Sequence, residues 1–455
     1  MDHVTHTERG HSNSEDHELF NPATDTVSAV MKSIQKDLEK VPSWPSNGSI
    51  YRVPKTLRTI KPEAFRPRLV SIGPFYRDEE ELKPMEAHKL RYLNNILERE
   101  SRLTLCDYVK AMAELEDRAR KCYSEIIQLK SEEFVKMILL DGCFILELIL
   151  QKTKSHEFKH RPDDPIFNTI WMFRVVRLDL LLLENQLPFF VLERLFNLLG
   201  NYSGVGSLTF IELVHSIFGN KLTIPQATII KSSRLQFRRR KKKDDVDQSR
   251  DKRTEIWKDS EGNCKAKHLL DFIRLALLPA LPSPSSFTTP QKGRVMMGLH
   301  SATELQEAGV KFEKRPTSFL DITFNNGVLK TPTMRITDST EALFRNLIAY
   351  EQCLDENSNE ISTYAAFING LINSPKDVEL LQRKGIIVSG LGGPEEVSTL
   401  FNNLLKEVNI NPNNYFLNVF DEVEKYYKIP RHKRKAIFNI PWDFISVCLQ
   451  YFSSS

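Results

Sequence analysis

The chain's nearest approach to a hydrolytic motif is His156-Glu-Phe-Lys-His160, a literal H-E-x-x-H. Two histidines one turn apart can bind zinc while the glutamate activates water. The motif needs a well-ordered helix facing a cleft, but Pro162 and Pro165 follow at once and lysines precede it. His215, the next histidine, lacks metzincin-type spacing, so a frayed helix end is expected and no metal is assigned. Ile386-Ile-Val-Ser-Gly390-Leu-Gly392-Gly393-Pro394 imitates a strand, a glycine turn and a helix start. A dinucleotide fingerprint needs a further glycine where Glu395 stands, and Pro394 removes an amide that phosphates would use. A helix-initiating turn is expected there. Neither a G-x-x-x-x-G-K-[ST] phosphate loop nor a G-x-S-x-G nucleophile elbow occurs. No catalytic residue and no cofactor is assigned.

Ionic groups within apolar runs are the other candidates. Asp141, Glu147, Asp179 and Glu184, with Arg174 and Arg177, lie in or beside very apolar helical patterns. Buried carboxylates with raised pKa can serve acid–base catalysis. More often such charges are neutralised by each other or by backbone groups. A buried polar network of Asp141, Arg174, Arg177, Asp179 and Glu184 is therefore expected, with Asp141 and Glu184 in the most apolar surroundings. Arg238, Arg239, Arg240, Lys241, Lys242 and Lys243 form a basic run followed by Asp244, Asp245 and Asp247. It would suit nuclear import or an anionic-lipid contact. With no aromatics interleaved after Phe237, stacking on nucleic-acid bases is unsupported.

The composition suits a soluble protein with a sizeable core: 455 residues, 41% apolar and 27% charged. Net charge is 63 − 59 = +4, which forces neither nucleic acid nor membrane as a partner. The six cysteines are scattered and form no C-x-x-C pair, so neither a disulfide framework nor a zinc ribbon is suggested. The polar N-terminus has no apolar core of a secretory signal, and the sequons at Asn47 and Asn201 carry little weight without one.

The elements that must position these groups are mostly helices. Residues 1–22 read as a disordered polar leader, and Val27 to Leu38 fall at helical spacing within a 23–46 helix and linker. Helical patterns then run from Pro84, over 105–126, and from Ser131 to Leu150. A fourth covers 167–183, and a fifth starts after Pro188. Lys136, Asp141 and Glu147 interrupt the third, which marks a central core helix rather than a membrane span. Residues 234–262 read as a disordered charged insertion, and 279–290 as a linker. Phe319 to Phe324, a turn at Asn325-Asn-Gly327 and a return over Val328 to Ile336 predict a β-hairpin, which would pack on the helices and pair with the extended opening stretch, Ile50 to Pro54 and then Phe65 to Tyr76. The expected fold is mainly α: one large helical domain over 47–435 with a small antiparallel β-hairpin or sheet.

That extended stretch carries a resemblance. Ile50-Tyr-Arg-Val-Pro54, Pro67-Arg-Leu-Val-Ser-Ile-Gly-Pro74 and His88-Lys89-Leu90-Arg91-Tyr92-Leu93 resemble the opening of the plant domain of unknown function 247 family. Asp141-Gly-Cys-Phe and Glu184-Asn-Gln-Leu-Pro-Phe-Phe are similar to later pieces, and the series recurs to about residue 446. Some grass members are implicated as pollen-side determinants of self-incompatibility, so the resemblance implies recognition rather than catalysis. It also implies a C-terminal membrane helix after Asn439-x-Pro441-Trp442. The tail over 436–455 departs from that pattern: its 17-residue apolar run includes Asn439, Pro441, Asp443 and Gln450, where a span needs about 20 apolar residues. A charge such as Asp443 in mid-bilayer costs about 2.5–3.5 kcal/mol. Peripheral attachment through Trp442, Phe444, Tyr451 and Phe452 stays open.

The expected function is a non-enzymatic interaction, recognition or signalling protein with an unknown protein partner, membrane-associated if the tail reaches a membrane surface, and otherwise cytoplasmic or nuclear. Two alternatives are an enzyme built around Asp141 and Glu184, and a nuclear or lipid-binding adaptor acting through Arg238 to Lys243.

Overall fold

The structure, a computed structural model, describes residues 22–39, 48–99, 102–153, 164–200, 209–218, 264–278, 299–315, 320–355, 358–410 and 416–429. The histidine pair at 156 and 160, the basic run 238–243, the 279–290 linker and the tail 436–455 lie outside them. The chain divides into two compact units, Met1–Ser46 and Asn47–Ser455. The first contributes one described helix, α1 (Pro22–Leu38), whose described side chains are all exposed.

The larger unit is built from helices, as expected. Its first part comprises α2 (Lys55–Ile60), α3 (Pro84–Arg99), α4 (Leu105–Ala113), α5 (Glu116–Arg120) and α6 (Ser131–Thr153), then α7 (Pro165–Asn168), α8 (Met172–Asp179), α9 (Phe189–Leu198), α10 (Phe210–Phe218) and α11 (Leu269–Leu277). The axis of this part is α6, whose side chains from Phe134 to Gln151 are buried almost without exception. It packs against α3, α4, α9 and α10. A helix apolar on every side is stable only when neighbours cover every side, and here these helices flank it while the stretch around Gly73 meets it at Asp141. Glu132 and Glu133 lie in its first turn, at the positive end of the dipole.

Two helical expectations need correction. The 105–126 pattern breaks into α4 and α5 around Glu114 and Leu115. The 167–183 pattern breaks at residues 169–171, between α7 and α8, and ends at Asp179, after which buried Leu180 to Leu187 leave the helix. Side chains take over the backbone groups there: Gln186 Nε2 donates to the carbonyls of Leu180 (2.9 Å) and Leu182 (2.7 Å), and Asn185 Nδ2 to that of Asp179 (2.9 Å). Amide side chains compete with the helical ladder in this way, and apolar periodicity does not register them.

The remainder comprises α12 (Ala302–Glu307), β1 (Lys311–Arg315), β2 (Thr323–Asn325), β3 (Val328–Pro332) and β4 (Met334–Ile336). It continues through α13 (Thr340–Glu351), α14 (Glu360–Leu371), α15 (Pro375–Arg383), β5 (Ile387–Ser389), α16 (Pro394–Leu404) and α17 (Leu417–Tyr427). The hairpin forms as β2–β3, turning through Asn326 and Gly327, both at positive φ. That is the pair a tight hairpin turn favours. Its other partner is β1, in parallel register with β3, rather than the stretch from Ile50. The return strand also stops at Pro332; Met334 to Ile336 leave for a separate sheet, parallel with β5.

The opening stretch cannot act as a sheet edge, because its amides are already engaged. Ile50 forms a single bridge with Tyr123. The amides of Val53, Arg68, Leu69, Val70, Ile72 and Gly73 point at side chains, while those of Arg58, Ala64 and Phe65 close α2 and the turn after it.

Candidate functional site

The stretch from Val53 to Tyr76 runs through a set of buried polar side chains on α6, α8 and the 180–187 segment. Three of the four carboxylates singled out above, Asp141, Asp179 and Glu184, anchor part of it. The Val53 amide donates to Glu184 Oε1 (2.6 Å), the Tyr76 hydroxyl to Oε2 (2.7 Å), and the Arg58 guanidinium pairs with the same group. Arg52 lies 3.7 Å away. Asp179 accepts the amides of Arg68 (3.1 Å), Leu69 (2.7 Å) and Val70 (3.1 Å). Asn185 accepts the Ile72 amide (2.6 Å) and donates to the Val70 carbonyl (3.0 Å). Asp141 accepts the Gly73 amide at 2.8 Å. Buried backbone amides require partners, and here side chains supply what a neighbouring strand would supply in a sheet.

Lys89 completes the arrangement from α3. It is almost wholly buried, and its ammonium contacts Asp141 Oδ1 (2.6 Å), Glu86 Oε1 (2.5 Å) and the Ser71 carbonyl (2.7 Å). Burial alone would lower this amine's pKa, but Asp141 and Glu86 beside it raise it above the ordinary value. Burial raises Asp141 as well, against the pull of Lys89 and the Gly73 amide; the three acceptors around the ammonium favour the charged lysine. Burial also pushes Asp179 up to about 6, against the pull of its three amides. Glu147 is separately closed off by Arg99, which donates to both oxygens at 2.7 and 2.5 Å, and by Gln151.

The buried network thus exists, with membership different from expectation. Asp141, Asp179 and Glu184 belong to it; Arg174 and Arg177 do not. Arg174 pairs at the surface with Asp338 (2.8 Å). Arg177 is buried on α8 with its Nε unpartnered, and burial beside Arg174 lowers its pKa. The cations that neutralise the acids come from far along the chain, as Arg58 and Lys89. Lys89 had a legible signal: it falls between Met85, Tyr92 and Leu93 within the buried stripe of α3. Asn185 and Gln186 had none beyond their place after an apolar run.

Asp141 and Glu184 do not converge on a common space. Asp141, Lys89, Glu86, Ser71, Gly73 and Arg77 line a cleft of about 250 Å³, with Lys136 also at it. Glu184 is not among its lining residues. A second groove, about 560 Å³, lies where α13 and α16 begin, beside Lys61. There β5, a glycine turn and α16 make the strand–turn–helix shape that the 386–394 sequence imitates. The position an anion would take at the helix start is filled from within, because Glu396 accepts the Gly392 amide (2.8 Å). That occupancy disfavours a phosphate at this turn.

Gly73 is the tightest joint in the site. Its φ is +72°, and a Cβ there would lie 2.7 Å from the Gln186 carbonyl oxygen and 3.2 Å from the Tyr123 hydroxyl. Replacing Gly73 with Ala is expected to cost about 2–3 kcal/mol, from the left-handed backbone and a clash with main chain that cannot rotate away. Urea unfolding of the full chain measures it; a neutral substitution would mean the 72–74 segment is not held as described.

Family comparison decides what this arrangement belongs to. The family DUF247, described as "Plant protein of unknown function", matches residues 50–453. The chain belongs to the DUF247 family. The Arabidopsis thaliana UPF0481 protein At3g47200 is 32% identical over 434 residues, spanning 89% of this chain and 83% of the relative. A second Arabidopsis thaliana protein, the putative UPF0481 protein At3g02645, is 24% identical over 464 residues, spanning 88% and 85%. No solved structure matches. For this DUF247 chain, the match begins at Ile50, where the anchored stretch also begins.

Two further buried groups set opposing pH responses. His268 is fully buried; its Nδ1 accepts the Asp271 amide (3.2 Å), so Nε2 carries the proton toward the Ser49 carbonyl (3.0 Å). Burial lowers its pKa to about 4. A depressed histidine contributes stability that is present above about 6.5 and lost as pH falls toward 4. Glu351 caps α14 through the amides of Ile361 (2.9 Å) and Ser362 (2.7 Å), and burial raises it to about 7. Its contribution is present below about 4.5 and lost as pH rises toward 7. Relative to the natural chain, His268→Asn should therefore tilt the stability profile downward with rising pH between these limits, and Glu351→Gln should tilt it upward. Each slope should span about 3 kcal/mol, by conversion of these shifts. Unfolding midpoints from pH 4.5 to 7 check it, and parallel profiles would contradict both assignments.

Proposed function

We propose that this protein acts by binding a partner rather than by turning over a substrate. The observation that carries the reading is the state of Lys89. All three of its ammonium protons have acceptors, two of them carboxylates, an arrangement that favours the charged form. A nucleophilic or proton-abstracting lysine must be neutral. Asp141 spends one oxygen on that ammonium and the other on the Gly73 amide, and Glu184 and Asp179 are spent likewise. Fully partnered buried ions of this kind support structure and specificity of fold. The partner reading also includes recognition or signalling roles. Association with a membrane would need a contact other than a span from the described helices, among which none is long and apolar enough to cross one.

The test compares the full chain with the charge-free pair Lys89→Met, Asp141→Asn. Each is incubated with a plant metabolite extract that is then profiled by mass spectrometry, alongside proximity labelling in plant cells. The reading expects identical metabolite profiles and the same protein neighbours for both. A compound consumed by the natural chain and spared by the folded variant would overturn it in favour of catalysis at Asp141.

A further inference from the structure

The cleft floored by Lys89 and Asp141 has a mouth that the buried network leaves unused. Lys89 takes both acids that line the space, Asp141 and Glu86. Two further cations line it, Arg77 and Lys136, and among the described residues neither pairs with a carboxylate. Arg77 is half-buried, and its Nη1 donates to the Glu133 carbonyl (3.0 Å) in the first turn of α6. That bond holds the guanidinium in place while its other donors stay available, so its side chain is ordered before anything binds. Lys136 stands exposed on α6, and Leu90, 53% exposed on α3, gives the cleft an apolar lip.

Size and charge indicate the occupant. At about 250 Å³ the cleft is smaller than the roughly 300–1,000 Å³ of pockets that enclose a drug-sized molecule. It suits a single side chain. Unpaired cations at a concave mouth call for an anion, and a planar guanidinium matches a carboxylate. Asp78, Glu132 and Glu133 are exposed, the first beside Arg77 and the others within about one turn of Lys136. These acids would repel the broad anionic face of a membrane, or a run of acids in a peptide. A single carboxylate seated in the mouth has the two cations as its neighbours instead. The segment that fits therefore carries one acid beside an apolar residue.

We propose that the mouth of this cleft seats one acidic side chain of a partner protein, its carboxylate against Arg77 and Lys136 and a neighbouring apolar residue on Leu90. This rests on the partner reading above and names the partner's chemistry; the Lys89–Asp141 floor stays structural. Random peptides displayed on phage and selected on the immobilised full chain should converge on one Asp or Glu next to Leu, Ile or Phe. A synthetic peptide of that consensus should bind Lys136→Glu about tenfold or more weakly, because attraction becomes repulsion. It should bind Lys136→Arg and Lys406→Glu, a reversal at an exposed site that does not line the cleft, as it binds the natural chain. Lys136 is exposed, so its reversal should leave urea unfolding unchanged. Arg77→Glu with Lys136→Glu should abolish binding, and the same peptide with its acid changed to Lys should restore it. Selection without a consensus acid, or binding indifferent to Lys136→Glu, would overturn the proposal. So would a peptide displaced as well by inorganic phosphate or by phosphatidylcholine–phosphatidylserine vesicles, because a free anion or lipid would then be the occupant. Proximity labelling separates the two readings: neighbours kept by the Arg77/Lys136 variant would overturn this docking site alone, whereas a metabolite consumed by the natural chain would overturn the partner reading itself.

Discussion

Replacing Glu184 with Leu is expected to remove about 3–5 kcal/mol of stability, the cost of breaking a buried pair by deleting one partner. The lower end applies, because Arg58 and Arg52 are 32% and 42% exposed and water can take over part of their solvation. What water cannot replace is the acceptor for the Val53 amide and the Tyr76 hydroxyl, both buried. An unsatisfied buried donor costs about 1–3 kcal/mol by itself. Glu184→Gln keeps one oxygen and should cost less than half as much. Equilibrium unfolding in urea measures both. The Leu variant should also become sensitive to proteolysis within residues 50–76, since that stretch loses its first anchor. A Leu variant within 1 kcal/mol of the natural protein would mean that Glu184 does not hold the stretch (about the size of ordinary surface effects).

The Lys89–Asp141 pair should show the largest coupling in the molecule. Lys89→Met leaves a buried carboxylate with only the Gly73 amide, and about 3–5 kcal/mol is expected to be lost. Asp141→Asn should cost less. The amide still has an oxygen for Gly73, and Lys89 still has Glu86 and the Ser71 carbonyl. The double variant should cost no more than the lysine change alone, a coupling of about 2 kcal/mol or more. Additive losses would contradict a paired state. The same two groups face the cleft with Arg77 and Lys136, so an uncoupled result would also weaken the reading of that cleft as structural.

The helices were legible because apolar spacing reports burial directly. The starts of α3, α6 and α9 are marked by Pro84, Ser131 and Pro188, and they form where those residues indicate. The three acids of the site were legible as charges in apolar surroundings. Their partners were not. Arg174 and Arg177 looked eligible as near neighbours of Asp179, whereas the groups that matter, Val53, Arg58, Gly73 and Lys89, lie on elements distant in sequence. Nothing in local periodicity encodes which distant segment reaches a buried charge. The same limit explains β5, whose pairing with β4 depends on how α13, α14 and α15 fold between them. The hairpin was legible because its turn chemistry is local. The role of the opening stretch was half legible: prolines and β-formers mark Ile50 to Pro54 and Phe65 to Tyr76 as extended, but only the fold shows α2 between them and side chains rather than strands meeting the amides of Val53 and of Arg68 to Val70.

Hydrogen exchange over residues 65–76 tests the central claim most directly. In the full chain, peptides covering Arg68 to Gly73 should exchange as slowly as those from α6, despite lying in no helix or sheet. Asp179→Asn should speed exchange at Arg68, Leu69 and Val70 before it affects α6, since those three amides share that one carboxylate. Exchange at the rate of an open loop in the natural protein would contradict the anchoring of this stretch by Asp141, Asp179 and Glu184.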